Sequence, residues 1–170
     1  MGLLDALTGT KKPKAGTPVL PQDQVRTALL KLNRDTSPWQ MRDGEPEKAD
    51  LVAEWKIVDA KWYEIFAKAD LKSVFKILMK FDPAKNELRA VDQEWTVEWR
   101  AGVPSINIAA SAFRGQKTEV SFGTAYAFKE TGEYGKVYSF YFKTSEMKDP
   151  IKDAVTAAGW TYRGVTFGSL

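Results

Sequence analysis

The feature that most constrains the fold is a pair of alternating segments joined by a turn, between residues 73 and 99. Apolar residues at Phe75, Ile77, Met79 and Phe81 alternate with Lys76, Leu78 and Lys80. This period of two is typical of a β-strand. Residues 82–86 are turn-forming types, so we expect the chain to reverse there and to continue as a second strand from Leu88 to Trp99.

Side-chain matching predicts the register of this hairpin. Pairing Met79 with Val91 aligns apolar side chains of the two strands on one face and sets Lys76 against Glu94 on the other. A shift of one residue would put Phe75 opposite Glu94 and lose both matches. Hydrophobic and charge matching therefore favour the same antiparallel pairing.

Other alternating segments predict further strands on both sides of the hairpin. They lie at 39–42, 51–58, 106–113, 119–129, 136–143 and 160–167. Turn-forming sequences separate several of them, including Asp43-Gly44 and Arg114-Gly115. We therefore expect a curved antiparallel sheet of about six or seven strands.

Two helices are predicted to pack on this sheet. The first runs from Pro21 to Leu32, where four aliphatic side chains recur on one stripe. The second has Asp149 as its N-cap and Pro150 at its first position, and it ends at Gly159. Residues 60–71 fit either a helix or a strand, and the spacing of their aromatic residues favours a helix.

The order of elements, a long antiparallel meander before a helix, resembles helix-grip and pleckstrin-type folds. The resemblance is topological, since neither family's sequence motifs are present, and it implies no function. A strand after the last helix departs from both folds. We expect residues 21–170 to form a single α+β domain and residues 1–20 to form a flexible tail with an apolar start and a basic end.

The composition excludes several kinds of chemistry, because the chain contains no cysteine and no histidine. Thiol nucleophiles, disulfides, thiolate or imidazole metal sites and histidine catalysis are thereby ruled out. No glycine-rich phosphate-binding motif occurs, and the Ser-x-x-Lys strings Ser73/Lys76 and Ser145/Lys148 lack the partner motifs of serine acylases. We predict no enzymatic activity and no cofactor; an enzyme using Asp, Glu or Tyr for acid–base catalysis is an alternative.

An acidic row on the second strand of the hairpin, formed by Asp92, Glu94 and Glu98, has two interpretations. Its oxygen atoms could bind a hard cation such as Ca²⁺ or Mg²⁺. Alternatively, the row is an exposed face whose carboxylates pair with Lys76 and Lys80 across the hairpin. The predicted register favours the exposed face, so no metal site is expected.

Aromatic residues make up 12% of the chain and concentrate in the predicted strands. These rings could line a pocket for a small apolar ligand, or they could simply fill the core. The predicted ligand contacts are Trp95, Trp99, Tyr126 and Tyr138, because tryptophan and tyrosine add a polar tip to an apolar ring. The leading functional prediction is a non-enzymatic binding protein for an apolar small ligand or a protein partner.

The first residues carry a second candidate site. Leu3, Leu4 and Leu7 form one apolar turn, and three lysines follow at positions 11, 12 and 14. This pattern is consistent with docking to a partner or an anionic surface, or with a terminus that folds back on its own domain. An assembly or scaffold protein tethered through residues 1–20 is therefore an alternative function.

The net charge of +3 does not indicate nucleic-acid binding, because basic and acidic residues alternate along nearly every segment. The sequence has no apolar run of the ~18 residues that a membrane-spanning helix needs. Its start also lacks the basic region and apolar run of a secretory signal. We therefore predict a cytoplasmic protein without a transmembrane segment.

Overall fold

The computed structural model describes residues 2–35, 37–56, 73–100, 103–107, 113–115, 128–131, 137–140, 144–166 and 170. The helices are α1 (Leu3–Thr8), α2 (Gln22–Leu30) and α3 (Thr144–Ala157), and a 3-10 helix covers Glu45–Glu47. The strands are β1 (Trp39–Asp43), β2 (Leu51–Trp55), β3 (Ser73–Asp82), β4 (Glu87–Arg100), β5 (Val103–Asn107), β6 (Phe113–Gly115), β7 (Phe128–Thr131), β8 (Val137–Phe140) and β9 (Thr161–Gly164). The predicted α+β class is confirmed.

The main sheet is mixed. Strands β1 to β5 follow one another in chain order with antiparallel pairing, and β6 and β9 also pair with β4. The expectation of a wholly antiparallel sheet is wrong because β9 runs parallel to β4. A strand that follows a helix can enter a sheet in parallel, since the helix carries the chain back along the sheet face. Strands β7 and β8 form a separate antiparallel pair.

The β3–β4 hairpin has the register that side-chain matching disfavoured. Met79 lies opposite Ala90, and Phe75 lies opposite Glu94, so the predicted pairing of Met79 with Val91 is wrong. Because side chains alternate between faces, this shift of one residue moves every side chain of β4 to the other face of the sheet relative to the prediction.

The turn and the helix-covered face explain this register. Asp82 pairs with Glu87, which leaves a four-residue turn that ends with Asn86 in the left-handed region, at φ 52°. In this register Leu88 and Ala90 lie in the larger hydrophobic core, with Met79 of β3. Burial of these residues against the helices outweighs the cross-strand charge pairing that the sequence suggested.

The larger core lies between one face of the sheet and the helices α2 and α3. Its buried side chains include Val25 and Leu29 of α2, Trp39, Met41, Leu51, Ala53, Trp55, Ile77 and Met79 of the first three strands, and Met147, Ile151 and Val155 of α3. A smaller cluster of Ala49, Val52, Leu78 and Val91 is also buried, and alternation along the strands places it on the opposite face. Strand β2 is therefore buried on both faces.

Helix α3 begins earlier than predicted. Its range, Thr144–Ala157, places Pro150 inside the helix instead of at its first position. Proline removes one backbone hydrogen bond from a helix interior. The additional first turn places Met147 and Lys148 in buried positions, and these tertiary contacts hold the turn in the helix despite the proline. The predicted end at Gly159 is confirmed, with φ at 79°.

Other sequence predictions overlap the observed elements but differ in their bounds. Strands β1, β2 and β9 are present, with β2 and β9 shorter than predicted, and Val25 and Leu29 of the predicted α2 stripe are buried. The predicted turn at Arg114-Gly115 is wrong, because both residues belong to β6, where they pair with β4. The predictions for residues 60–71 and 119–127 lie outside the described residues.

Candidate functional site

The structure places three of the four predicted ligand contacts on strands. Trp95 and Trp99 belong to β4, where they lie opposite Val74 and Pro104. Tyr138 belongs to β8, in the separate two-stranded sheet. Tyr126 lies outside the described residues. The aromatic ligand site stays a prediction.

Helix α1 has an unusual distribution of side chains. Leu3, Leu4 and Leu7 are exposed to 80%, 76% and 63%, whereas Asp5 is buried. At 100° per residue, the leucines fall within one third of the helix circumference and Asp5 points the opposite way. We call these three side chains the leucine face. Helix α1 thus presents its apolar face to solvent and its acidic side chain to the protein.

Two charged side chains hold Asp5 in this position. The ammonium of Lys12 lies 3.0 Å from one carboxylate oxygen, and the guanidinium of Arg163 lies 3.4 Å from the other. Arg163 also donates to Glu87 at 2.7 Å, which joins α1 to the start of β4. The hydrogen bond from Lys12 is the main cause that lowers the pKa of Asp5, although partial burial opposes it. Asp5 is therefore a charged anchor for α1.

The segment that follows α1 is attached to β9. The backbone of Lys11 exchanges two hydrogen bonds with Tyr162, at 3.0 and 2.9 Å. The amide of Gly164 donates to the hydroxyl of the buried Thr10 at 3.1 Å. Since β4 pairs with β9 along its other edge, the N-terminal segment covers the edge that β9 would otherwise expose.

A further attachment lies at the other end of the segment. The carbonyl of Leu20 accepts a hydrogen bond from the indole of Trp160 at 2.8 Å, and the amide of Leu20 donates to Ala158. The backbone of Pro18 approaches Gly159 so closely that a side-chain carbon there would overlap it. Residues 1–20 thus have specific contacts with the C-terminal elements, and the predicted domain boundary at residue 20 stays a prediction.

The N-terminal segment exposes only positive charge. Asp5 is the single acidic residue between Gly2 and Leu20, and it is buried. Lys11, Lys12 and Lys14 are exposed, and Lys11 lies 2.5 Å from Asp153 of α3. The leucine face is therefore followed in the chain by a short basic stretch.

A buried ion pair joins α3 to the sheet. Asp92 of β4 is fully buried, and its carboxylate contacts the ammonium of Lys148, which is also buried. The expectation that Asp92 lies on an exposed face and pairs with Lys76 and Lys80 is wrong. The observed register turns Asp92 toward α3. Lys76 instead lies 3.3 Å from Glu54.

Two further polar side chains accompany this pair. Tyr162 is fully buried, and burial strongly raises the pKa of its hydroxyl, with the charge of Asp92 adding to the effect. The ammonium of Lys152 lies 5.4 Å from the centre of the Tyr162 ring, which is cation–π distance. Burial, followed by the charge of Lys148, lowers the pKa of Lys152.

The Ser-x-x-Lys string Ser145/Lys148 does lie on a helix, at the start of α3. In this structure Lys148 is paired with Asp92. Within the described part of the chain, no three carboxylates come together as ligands for a cation.

A second charged network joins β1, β2 and β3 to the 3-10 helix Glu45–Glu47. Arg42 donates to both Glu47 and Glu54, and these hydrogen bonds raise its pKa. Burial raises the pKa of Glu54, but Arg42 and Lys76 outweigh burial and lower it overall. The two positive and two negative charges of this network balance each other. Its half-buried side chains tie neighbouring strands together without a net charge for a ligand.

Comparison with protein families, curated proteins and solved structures finds no match to this chain. Among the helices of the described residues, none has the length and apolar character needed to cross a bilayer. Among the described residues, the leucine face is an exposed apolar feature that the packing of the domain does not account for.

Proposed function

We propose that this protein is a non-enzymatic docking module that attaches to a larger surface through the leucine face of α1. The observation that carries the proposal is the exposure of Leu3, Leu4 and Leu7 on a helix whose opposite side is anchored. Isolated exposed leucines are common on proteins, but three on one helix face form a patch of the kind that marks interaction sites.

The distribution of exposed apolar residues supports this proposal. In the described part of the chain, the large hydrophobic side chains that are exposed are Leu3, Leu4, Leu7, Val19 and Leu20, all within the first twenty residues. Exposure is thus concentrated in one segment instead of being spread over the molecule.

The anchoring of α1 adds a second argument. A flexible tail would lose conformational entropy when it bound a partner. Here the backbone of Lys11 is hydrogen-bonded to β9, and Asp5 is held by Lys12 and Arg163. Because folding has already fixed α1, its leucines lose less conformational entropy when they bind a partner. This smaller loss favours binding.

The proposal combines the protein-partner prediction with the tethering alternative, and it needs no catalytic residue. The small-ligand version, with contacts from Trp95, Trp99, Tyr126 and Tyr138, stays a prediction of the sequence. The cytoplasmic location and the likeness to helix-grip or pleckstrin-type sheets also stay predictions.

Photocrosslinking in living cells tests the proposal. A diazirine-bearing amino acid replaces Leu7, and the matched control carries it in place of Ala84, which is exposed in the turn between β3 and β4. We expect a discrete adduct, with either a protein or a lipid, from position 7 and no such adduct from position 84. Equal, diffuse labelling from both positions, or no adduct from position 7, would contradict docking through the leucine face.

A further inference from the structure

We infer that the surface recognised by the leucine face is a lipid bilayer that contains anionic phospholipids, which the protein binds peripherally. This inference rests on the proposed function and names its partner class. It combines the area of the leucine face, its shape and the sign of the charges beside it.

The area of the leucine face is small for a protein–protein interface. Three leucine side chains offer about 180–360 Å² of apolar surface, if full burial of one leucine corresponds to roughly 60–120 Å². A stable interface between two proteins buries about 800 Å² on each partner. The leucine face therefore supplies less than half of what a second copy of this chain, or another folded protein, would need.

The shape of the leucine face also favours a bilayer. Leu3, Leu4 and Leu7 project from a six-residue helix, and exposures between 63% and 80% describe a convex knob with little protein beside it. A protein partner would need a matching groove. A bilayer surface has no fixed shape, so it accepts a short apolar helix face between its headgroups.

Charge complementarity provides the third argument. Every exposed charged side chain between Gly2 and Leu20 is a lysine, because the one acidic residue, Asp5, is buried. Peripheral proteins commonly combine a weak apolar insertion with basic residues, since one weak signal alone gives only marginal membrane binding. Here Lys14 would provide the second signal, since Lys11 is paired with Asp153 and Lys12 with Asp5, and each lysine near an anionic surface increases binding about fivefold.

Vesicle co-sedimentation of the full chain tests this inference. The probes are phosphatidylcholine vesicles with added phosphatidylglycerol and vesicles of phosphatidylcholine alone. We expect binding to the mixed vesicles, weaker binding as salt rises, and little binding to the neutral vesicles. Replacing all three leucines by serine (Leu3→Ser, Leu4→Ser, Leu7→Ser) should reduce binding about tenfold or more, while the matching methionine substitutions should retain it.

A pair of lysine variants separates local charge from total charge. Lys14→Gln is expected to weaken binding about fivefold, and Lys85→Gln, which removes an exposed lysine from the turn between β3 and β4, should leave it unchanged. Equal effects of both variants would overturn the role of the basic stretch and with it the inference.

Two outcomes distinguish this inference from the proposed function. Absence of binding to mixed vesicles, together with a discrete protein adduct from position 7, would overturn the bilayer as partner and leave docking intact. Absence of vesicle binding together with no adduct from position 7 would overturn both. Vesicle binding that survives the three serine substitutions would overturn the leucine face as the membrane contact.

Discussion

Helices α1 and α3 are both held against the C-terminal part of the sheet, but opposite kinds of side chain hold them. Helix α3 buries Met147, Ile151 and Val155 in the core, as an amphipathic helix is expected to do. Helix α1 turns its three leucines outward and is held through Asp5 and the backbone that follows it. The comparison shows that a helix can be positioned by ion pairs and leave its apolar face for another purpose.

The two helices also use charge differently. The pair between Lys148 of α3 and Asp92 is buried, so each charge depends on the other for its stability. The pairs around Asp5 are partly exposed to water, which screens them and makes each contribution small. We expect α3 to unfold only with the whole domain, whereas α1 can detach by itself.

The largest predicted effect concerns the buried pair. Lys148→Met leaves the carboxylate of Asp92 in the core without its ammonium partner, so the free energy of unfolding should fall by about 3–5 kcal/mol. Chemical denaturation followed by tryptophan fluorescence measures this change. The double variant Asp92→Leu/Lys148→Met should recover most of the loss, and a single variant as stable as the wild type would show that the pair does not hold α3.

The next largest effect on the free energy of unfolding comes from truncating one apolar residue on each of the two helices. Ile151→Ala leaves a cavity in the core and should lower the free energy of unfolding by about 2–5 kcal/mol. Leu4→Ala removes an exposed side chain and should change it by less than about 0.5 kcal/mol. The same denaturation experiment measures both, and a large loss from Leu4→Ala would mean that α1 is packed in the same way as α3.

The smallest effect is local and depends on pH. Because the pKa of Asp5 in the folded protein lies below its ordinary value of 3.8, its contribution is present well above that value. That contribution disappears as the pH falls through the lower, folded value. Hydrogen exchange of the α1 amides, corrected for the intrinsic rate, should therefore accelerate on acidification before that of α3.

The variant Asp5→Asn serves as the matched control for this pH effect. It should show faster α1 exchange already at neutral pH, because Lys12 and Arg163 lose their charged partner, and it should respond little to acidification. Exchange in α1 that is as slow in this variant as in the wild type would contradict the role of Asp5 as the anchor.

Local sequence patterns predicted many of the helices and strands. They failed where contacts between distant residues set the start of a helix or the register of a strand pair. Alternation located β1 to β4, and glycine marked the end of α3 at Gly159. The proline at position 150 suggested the start of that helix, yet burial of Met147 adds an earlier turn. The register of the β3–β4 hairpin failed for the same reason, because matching pairs across two strands neglects the helices that cover one face.

The candidate docking site was partly visible in the sequence. The leucines at positions 3, 4 and 7 were identifiable as an apolar turn, but their exposure depends on which way Asp5 points. The residue spacing does indicate this exposure, since Asp5 lies opposite the leucines on a helix. Its partner Arg163 is 158 residues away, and no local pattern links the two.

The sequence alone determined the α+β class, the excluded cysteine and histidine chemistry, and the segments that alternate as strands, because composition and periodicity are local properties. Tertiary structure alone decided the strand register, the burial of Asp92 against Lys148, and the outward direction of the leucine face. Each of these depends on which distant side chain offers burial or an opposite charge. Such partners are brought together only when the whole chain folds.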